Sequence, residues 1–92
     1  MIRSFADEKT RELWLTGRHR KLQNIASVAI RRLQAVDFAA RVEDLRIPAG
    51  NRLEKLRGDR EGQYSIRVND QYRVCFRWEG GHAWDVEITD YR

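Results

Sequence analysis

Two stretches in the second half of the chain alternate apolar and polar side chains without a break: Gln63-Tyr-Ser-Ile-Arg-Val68 and Tyr72-Arg-Val-Cys-Phe-Arg-Trp78. A period of two belongs to a β-strand with one buried face. A one-residue slip would turn the apolar set out to water, so the pattern fixes register as well as element type. Trp84, Val86 and Ile88 continue the period in a third stretch, and a further strand is expected ahead of these over residues 52–56. Turn-forming clusters separate them, Gly58-Asp-Arg-Glu-Gly62, Asn69-Asp-Gln71 and Glu79-Gly-Gly81, which predicts an antiparallel meander of three strands after an initial one. One face then carries Tyr64, Ile66, Val68, Val74, Phe76, Val86 and Ile88. The other carries Ser65, Arg67, Arg73, Cys75, Arg77, Asp85, Glu87 and Thr89. Antiparallel sheets commonly leave such a polar face wet, and a solvated surface is its ordinary expectation.

The apolar face needs a cover, and the first half of the chain supplies one in a different period. Residues 1–5 read as an extended lead-in. Asp7 then offers an N-cap, Leu13 and Trp14 are apolar anchors, and Thr16-Gly17 closes a short helix with a residue that tolerates a left-handed backbone. Leu22, Ile25, Val28, Ala29, Leu33 and Val36 recur at three- and four-residue spacing, which predicts a longer amphipathic helix ending near residues 38–40, with Arg31 and Arg32 off its stripe. A further helical turn over residues 42–45 precedes the break at Pro48-Ala-Gly50. The expected architecture is α+β: two N-terminal helices packed on one face of a small, mainly antiparallel sheet. With 92 residues there is room for one domain, 1–92. Trp14 and Trp84 both fall on apolar faces and are expected in the core.

Fifteen of the 18 basic residues are arginine and the formal charge is +4. Arginine suits bidentate grip on phosphate and stacking on bases, so an anionic partner is favoured over a merely charged surface. Cys75 is the single cysteine, which rules out an internal disulfide and leaves no Cys-based metal site; His19 and His82 lack ligand spacing. Neither G-x-G-x-x-G nor a P-loop occurs, so no cofactor is expected. No apolar run approaches the roughly 20 residues that span a bilayer, and the N-terminus lacks the apolar core of a signal peptide; the chain is therefore read as cytoplasmic, in a reducing interior, with no membrane role. The charged residues of interest are Glu54, Lys55 and Arg57 at the sheet edge with Arg67, Arg73 and Arg77 in neighbouring strands. Cations gathered around one carboxylate make a phosphate cradle, although Glu54 between Arg52 and Arg57 equally suits a surface salt bridge. Arg18, Arg20 and Lys21 fit either RNA contact or a solvated helix face.

These residues carry a resemblance. The opening Met1-Ile-Arg-Ser-Phe5, the run Asn51-Arg-Leu-Glu-Lys-Leu-Arg-Gly-Asp-Arg60, the stretch Gln63-Tyr-Ser-Ile-Arg-Val-Asn-Asp-Gln-Tyr-Arg-Val-Cys-Phe-Arg-Trp78 and the closing Val86-Glu-Ile-Thr-Asp-Tyr91 are similar to the HigB toxins, or plasmid-maintenance killer proteins, of the RelE/ParE superfamily. The resemblance implies a type II toxin that cleaves messenger RNA in the A site of the 70S ribosome, without a metal, by attack of a ribose 2′-hydroxyl on the adjacent phosphate. It implies a HigA-type helix-turn-helix antitoxin as partner, with promoter DNA bound only through their complex. By position it puts Arg73 on the scissile phosphate, Arg57 beside it as a second cation, Glu54 as general base and the Asp90-Tyr91 segment at the site; Lys55, Arg67, Arg77, Arg18, Arg20 and Lys21 become RNA contacts. Relatives commonly end Asp-Tyr-His where this chain ends Asp90-Tyr91-Arg92. Arginine is a poor proton donor at neutral pH, so Arg92 neutralises charge, or Tyr91 or water supplies the proton, or activity is weak. The ParE branch, whose members bind and inhibit DNA gyrase without chemistry, is the alternative function.

Overall fold

The computed structural model describes residues 1–91. Helix α1 spans Glu8–Thr16. A 3-10 turn at Gln23–Ile25 runs into α2, Ala26–Phe38. The strands β1 (Glu54–Lys55), β2 (Gln63–Arg67), β3 (Tyr72–Glu79) and β4 (His82–Asp90) form one sheet in the order β1-β2-β3-β4, every pair antiparallel. Residues 1–6 lie parallel along the outer edge of β4, with Arg3 N donating to Ala83 O (2.8 Å) and Val86 N to Ser4 O (3.0 Å). The α+β architecture read from the sequence is the one observed, with both helices against one face of the sheet.

The two periodicities meet in the core. Leu13 from α1 and Leu22, Ile25, Ala29, Leu33 and Val36 from the second helical segment bury against Ile66, Val74, Phe76, Val86 and Ile88. Trp14 packs at its margin, as expected. Helix α1 is set by its ends. The Asp7 carboxylate accepts from Thr10 N at 3.0 Å, and Gly17, at φ 77°, lets its N–H turn back to Leu13 O at 2.8 Å. Thr10 itself is fully buried, and its hydroxyl accepts from Ile88 N (2.9 Å), so the first turn of α1 also closes the edge of β4 beyond the N-terminal segment.

Two expectations are corrected. The first strand is two residues long rather than five, because Asn51 sits in a 3-10 turn and Arg52 takes a left-handed backbone (φ 47°, ψ 58°) that cannot continue a ladder. Trp84 is not a core residue. Between the pairs Cys75–Glu87 and Arg77–Trp84, β4 contributes two residues against one from β3, and Asp85 adopts a left-handed φ of 53°. This bulge reverses the alternation, so Trp84 joins Arg77 on the polar face, its ring 6.0 Å from the guanidinium carbon.

Burial pushes the Asp7 carboxyl up, but hydrogen bonds from Lys9 and Thr10 outweigh it and hold the group below its ordinary value. A depressed folded value means stability that is present above the unfolded value and lost as pH falls through the folded one. Asp7→Ala is therefore expected to cost about 1 kcal/mol at neutral pH, with the difference from the unsubstituted chain shrinking in denaturant melts carried below about pH 4.

Candidate active site

Strand register arranges the polar face in rows. Glu54 pairs with Ser65, Ser65 with Cys75 and Cys75 with Glu87, a line of four residues across all four strands. The adjacent row runs Arg67, Arg73, Thr89. The middle of this face is dry, contrary to the solvated surface expected: Ser65 and Cys75 are fully buried and Leu56, which continues the β1 pairing through Leu56 N to Gln63 O, nearly so. Leu56 and Cys75 are buried on this face, outside the helix-side core. Three long side chains, Arg73, Arg60 and Tyr91, cover the middle of the face.

Arg73 is the most constrained of them. Nε donates to Ser65 Oγ at 2.7 Å, Nη2 to the Arg52 carbonyl at 2.6 Å, and Nη2 lies 3.7 Å from Glu54 Oε1. The arginine side chain keeps only 12% of its surface exposed, whereas Glu54 keeps 58% and stands at the rim. A cation fixed in an almost dry setting beside an open carboxylate is an arrangement suited to an anion with a proton to lose.

Arg60 reaches across the face from the turn after β1. Its Nη1 donates to Gln63 Oε1 on β2 (3.1 Å) and lies 2.6 Å from Glu87 Oε1 on β4. The hydrogen bond to Glu87 holds its guanidinium protonated more firmly than usual. Tyr91 follows β4, with its N–H on Gln71 O. Because it lies beyond the Tyr72–Asp90 pair, its phenol must lean back along the face to bring Oη within 3.7 Å of Cys75 Sγ, which donates to it. Thr89 Oγ1, on the intervening row, is buried with no partner among the described residues. Burial and the contact with Cys75 push the Tyr91 phenol above its ordinary value, against the opposing pull of Arg60 and Arg73. The hydroxyl thus keeps its proton at neutral pH, and accepting from the thiol leaves that proton free to be given elsewhere.

The structure brings together Glu54, Arg73 and Tyr91 from the expected set, and adds Ser65, Arg60, Cys75 and Glu87, which sequence reasoning left as surface, turn or strand residues. Alternation signalled three of these four by placing them on the polar face; nothing local signalled the reach of Arg60. The remaining cations do not converge as expected. Arg67 is paired with Asp70. Arg77 is held by Asp85 (2.9 Å) and Glu79 (3.0 Å). Lys55 pairs in register with Tyr64 and so leaves the edge strand on the helix side, away from Glu54. Arg57 is exposed and lines a shallow cleft with Lys55, Leu56, Glu61 and Gly62, apart from the hydrogen bonds that hold Arg73. Arg18 and Arg20 are exposed on the loop between the helices, and Lys21 borders a separate cleft with Lys9, Tyr72 and the end of β4. Arg92 lies outside the described residues. Among the described residues no three His, Cys, Asp or Glu side chains gather to hold a metal ion, and no helix is long and apolar enough to cross a membrane.

Comparison with known proteins gives the geometry a context. A family model, described as the RelE-like toxin of the type II toxin-antitoxin system HigB, matches residues 3–91. Toxin HigB-1 of Vibrio cholerae serotype O1 is 42% identical over 76 residues, 82% of this chain and 80% of that protein. Endoribonuclease HigB of Proteus vulgaris is 38% identical over 60 residues, 65% of this chain and 64% of that protein. Among solved structures, the YoeB-YefM complex from Staphylococcus aureus matches with a TM-score of 0.63 at 16% identity, covering 100% of this chain and 98% of that one, a likeness of fold.

The environment of Tyr91 can be read by ultraviolet titration. The difference between this chain and Tyr91→Phe should isolate one phenol titrating above the ordinary tyrosine value of about 10. A phenol titrating below that value would contradict the arrangement.

Proposed function

The chain belongs to the HigB family of RelE-like toxins of type II toxin-antitoxin systems, and from that premise we propose that its polar sheet face is an endoribonuclease site that cuts messenger RNA. The observation that carries the proposal is Arg73, fixed and nearly dry between the open carboxylate of Glu54 and the protonated phenol of Tyr91. The name of the Proteus vulgaris relative, an endoribonuclease, points the same way.

In the reaction so proposed, Glu54 takes the proton of a ribose 2′-hydroxyl as O2′ bonds to the adjacent phosphorus. Negative charge then grows on the non-bridging oxygens, where Arg73 meets it, with Arg57 as a second cation from the exposed edge. The bond from phosphorus to O5′ breaks, and Tyr91 gives its proton to the departing oxygen. The products are a 2′,3′-cyclic phosphate and a 5′-hydroxyl. Every proton and charge comes from a side chain, so the scheme uses no metal ion. Arg92, next to Tyr91 in sequence, would neutralise the leaving oxygen electrostatically rather than protonate it, since its guanidinium holds its proton too tightly.

Lys55, Arg67 and Arg77, with Arg18, Arg20 and Lys21, would grip RNA outside the cleaved step. Arg67 and Arg77 each face exposed carboxylates, which incoming phosphates must displace. A shallow, open site such as this encloses little of a flexible strand, which fits a substrate held in place by the ribosomal A site. The partner of this reading is a HigA-type helix-turn-helix antitoxin, whose complex with the toxin binds promoter DNA.

Mapping of messenger RNA 5′ ends in cells briefly expressing the chain tests the proposal. New in-frame ends are expected, and Arg73→Ala should cut their rate of appearance by about 100- to 1,000-fold, the usual cost of removing one fixed charge stabiliser; Glu54→Gln should lower it as well. Arrested growth without new ends would defeat the ribonuclease reading and make inhibition of DNA gyrase the next one to test.

A further inference from the structure

A buried serine in the middle of a polar sheet face calls for a reason. Ser65 has no exposed surface, and its hydroxyl accepts from Arg73 Nε at 2.7 Å; its backbone oxygen lies 3.5 Å from Nη2 of the same guanidinium. On the other side, the Arg52 carbonyl accepts from Nη2 at 2.6 Å, and that carbonyl is aimed by a left-handed backbone that a non-glycine residue seldom adopts. Two acceptors from different elements, one on β2 and one ahead of β1, therefore fix both the plane and the direction of a single side chain. Among the described residues Nη1 has no hydrogen-bond acceptor, so its donors are not used up by the anchoring. An unanchored arginine would sample several rotamers and would have to be ordered by the substrate; an anchored one meets it already placed.

We propose that Ser65 is a positioning residue for Arg73: with the Arg52 carbonyl it holds the guanidinium in one plane and one direction, ready for the phosphate. The inference rests on the ribonuclease reading for its consequence but not for its geometry. Full-length chain labelled with 15N provides the direct test, through solvent exchange of the Arg73 Nε–H, with Arg73→Lys identifying the signal. Ser65→Ala should speed that exchange at least about fivefold, in line with loss of one charge-assisted hydrogen bond. On ribosome-bound reporter RNA the same variant should lose kcat by about 100-fold with KM little changed, the mark of a displaced group rather than lost binding. The melting temperature should move only by the few degrees that a small local loss allows. Ser65→Cys keeps the size and offers a weaker acceptor, so its exchange rate and kcat should fall between the two; it also carries the comparison should the alanine variant not fold. Unchanged Nε–H exchange in both variants would overturn the proposal, as would a loss of kcat matched by a collapse in melting temperature in the cysteine variant as well. If the unsubstituted chain cuts no RNA, the ribonuclease reading falls, and the exchange rates still decide whether Ser65 holds Arg73.

Discussion

Strand β3 is the constraint on which the rest of the molecule depends. It is paired on both sides, and its alternation is shared between two tasks: Val74 and Phe76 anchor the helices from beneath, while Arg73, Cys75 and Arg77 face the other way. Because the period is two, neither task can be altered by shifting the strand without destroying the other. Arg73 consequently owes its position to apolar packing on the far side of the sheet.

The polar face also shows how a small basic protein divides its charge. Arg67 and Arg77 are balanced by Asp70, Asp85 and Glu79 near the surface, where such pairs contribute little to stability. Arg73 is treated differently. Its carboxylate neighbour stays at 3.7 Å and more than half exposed, and its close partners are an uncharged hydroxyl and a carbonyl. Neutral acceptors orient a cation without cancelling it, so the positive potential remains available to a phosphate. Arg60 stands between these cases, bound to Glu87 across the face, and its contribution is to keep water from Cys75 as much as to offer charge.

Much of this was legible in the chain itself. The helix cap at Asp7, the left-handed stop at Gly17, the two apolar periods and the side of the sheet taken by Arg73 all follow from local rules, and they held. What the sequence concealed depends on backbone conformations that have no residue signature. A non-glycine left-handed residue at Asp85 moved Trp84 from the expected core to the polar face, and another at Arg52 shortened β1 and aimed a carbonyl at Arg73. Side-chain length hid the rest: Arg60 lies in a turn whose direction no periodicity reports, and the burial of Ser65 and Cys75 follows only once Arg73, Arg60 and Tyr91 are laid over them. Lys55, adjacent to Glu54 in sequence, left on the opposite side for the simple reason that neighbours in a strand always do.

The edges of the sheet have a consequence for the protein's behaviour in a crowded solution. An exposed strand edge is a template on which another chain can add a strand, and long flat edges lead to aggregation. Here one edge is occupied by residues 1–6 and the first turn of α1, while the other is a strand of two residues flanked by Arg52 and Arg57. Among the described residues neither edge presents a long, flat row of open backbone groups, the usual template for edge-to-edge addition of a second copy.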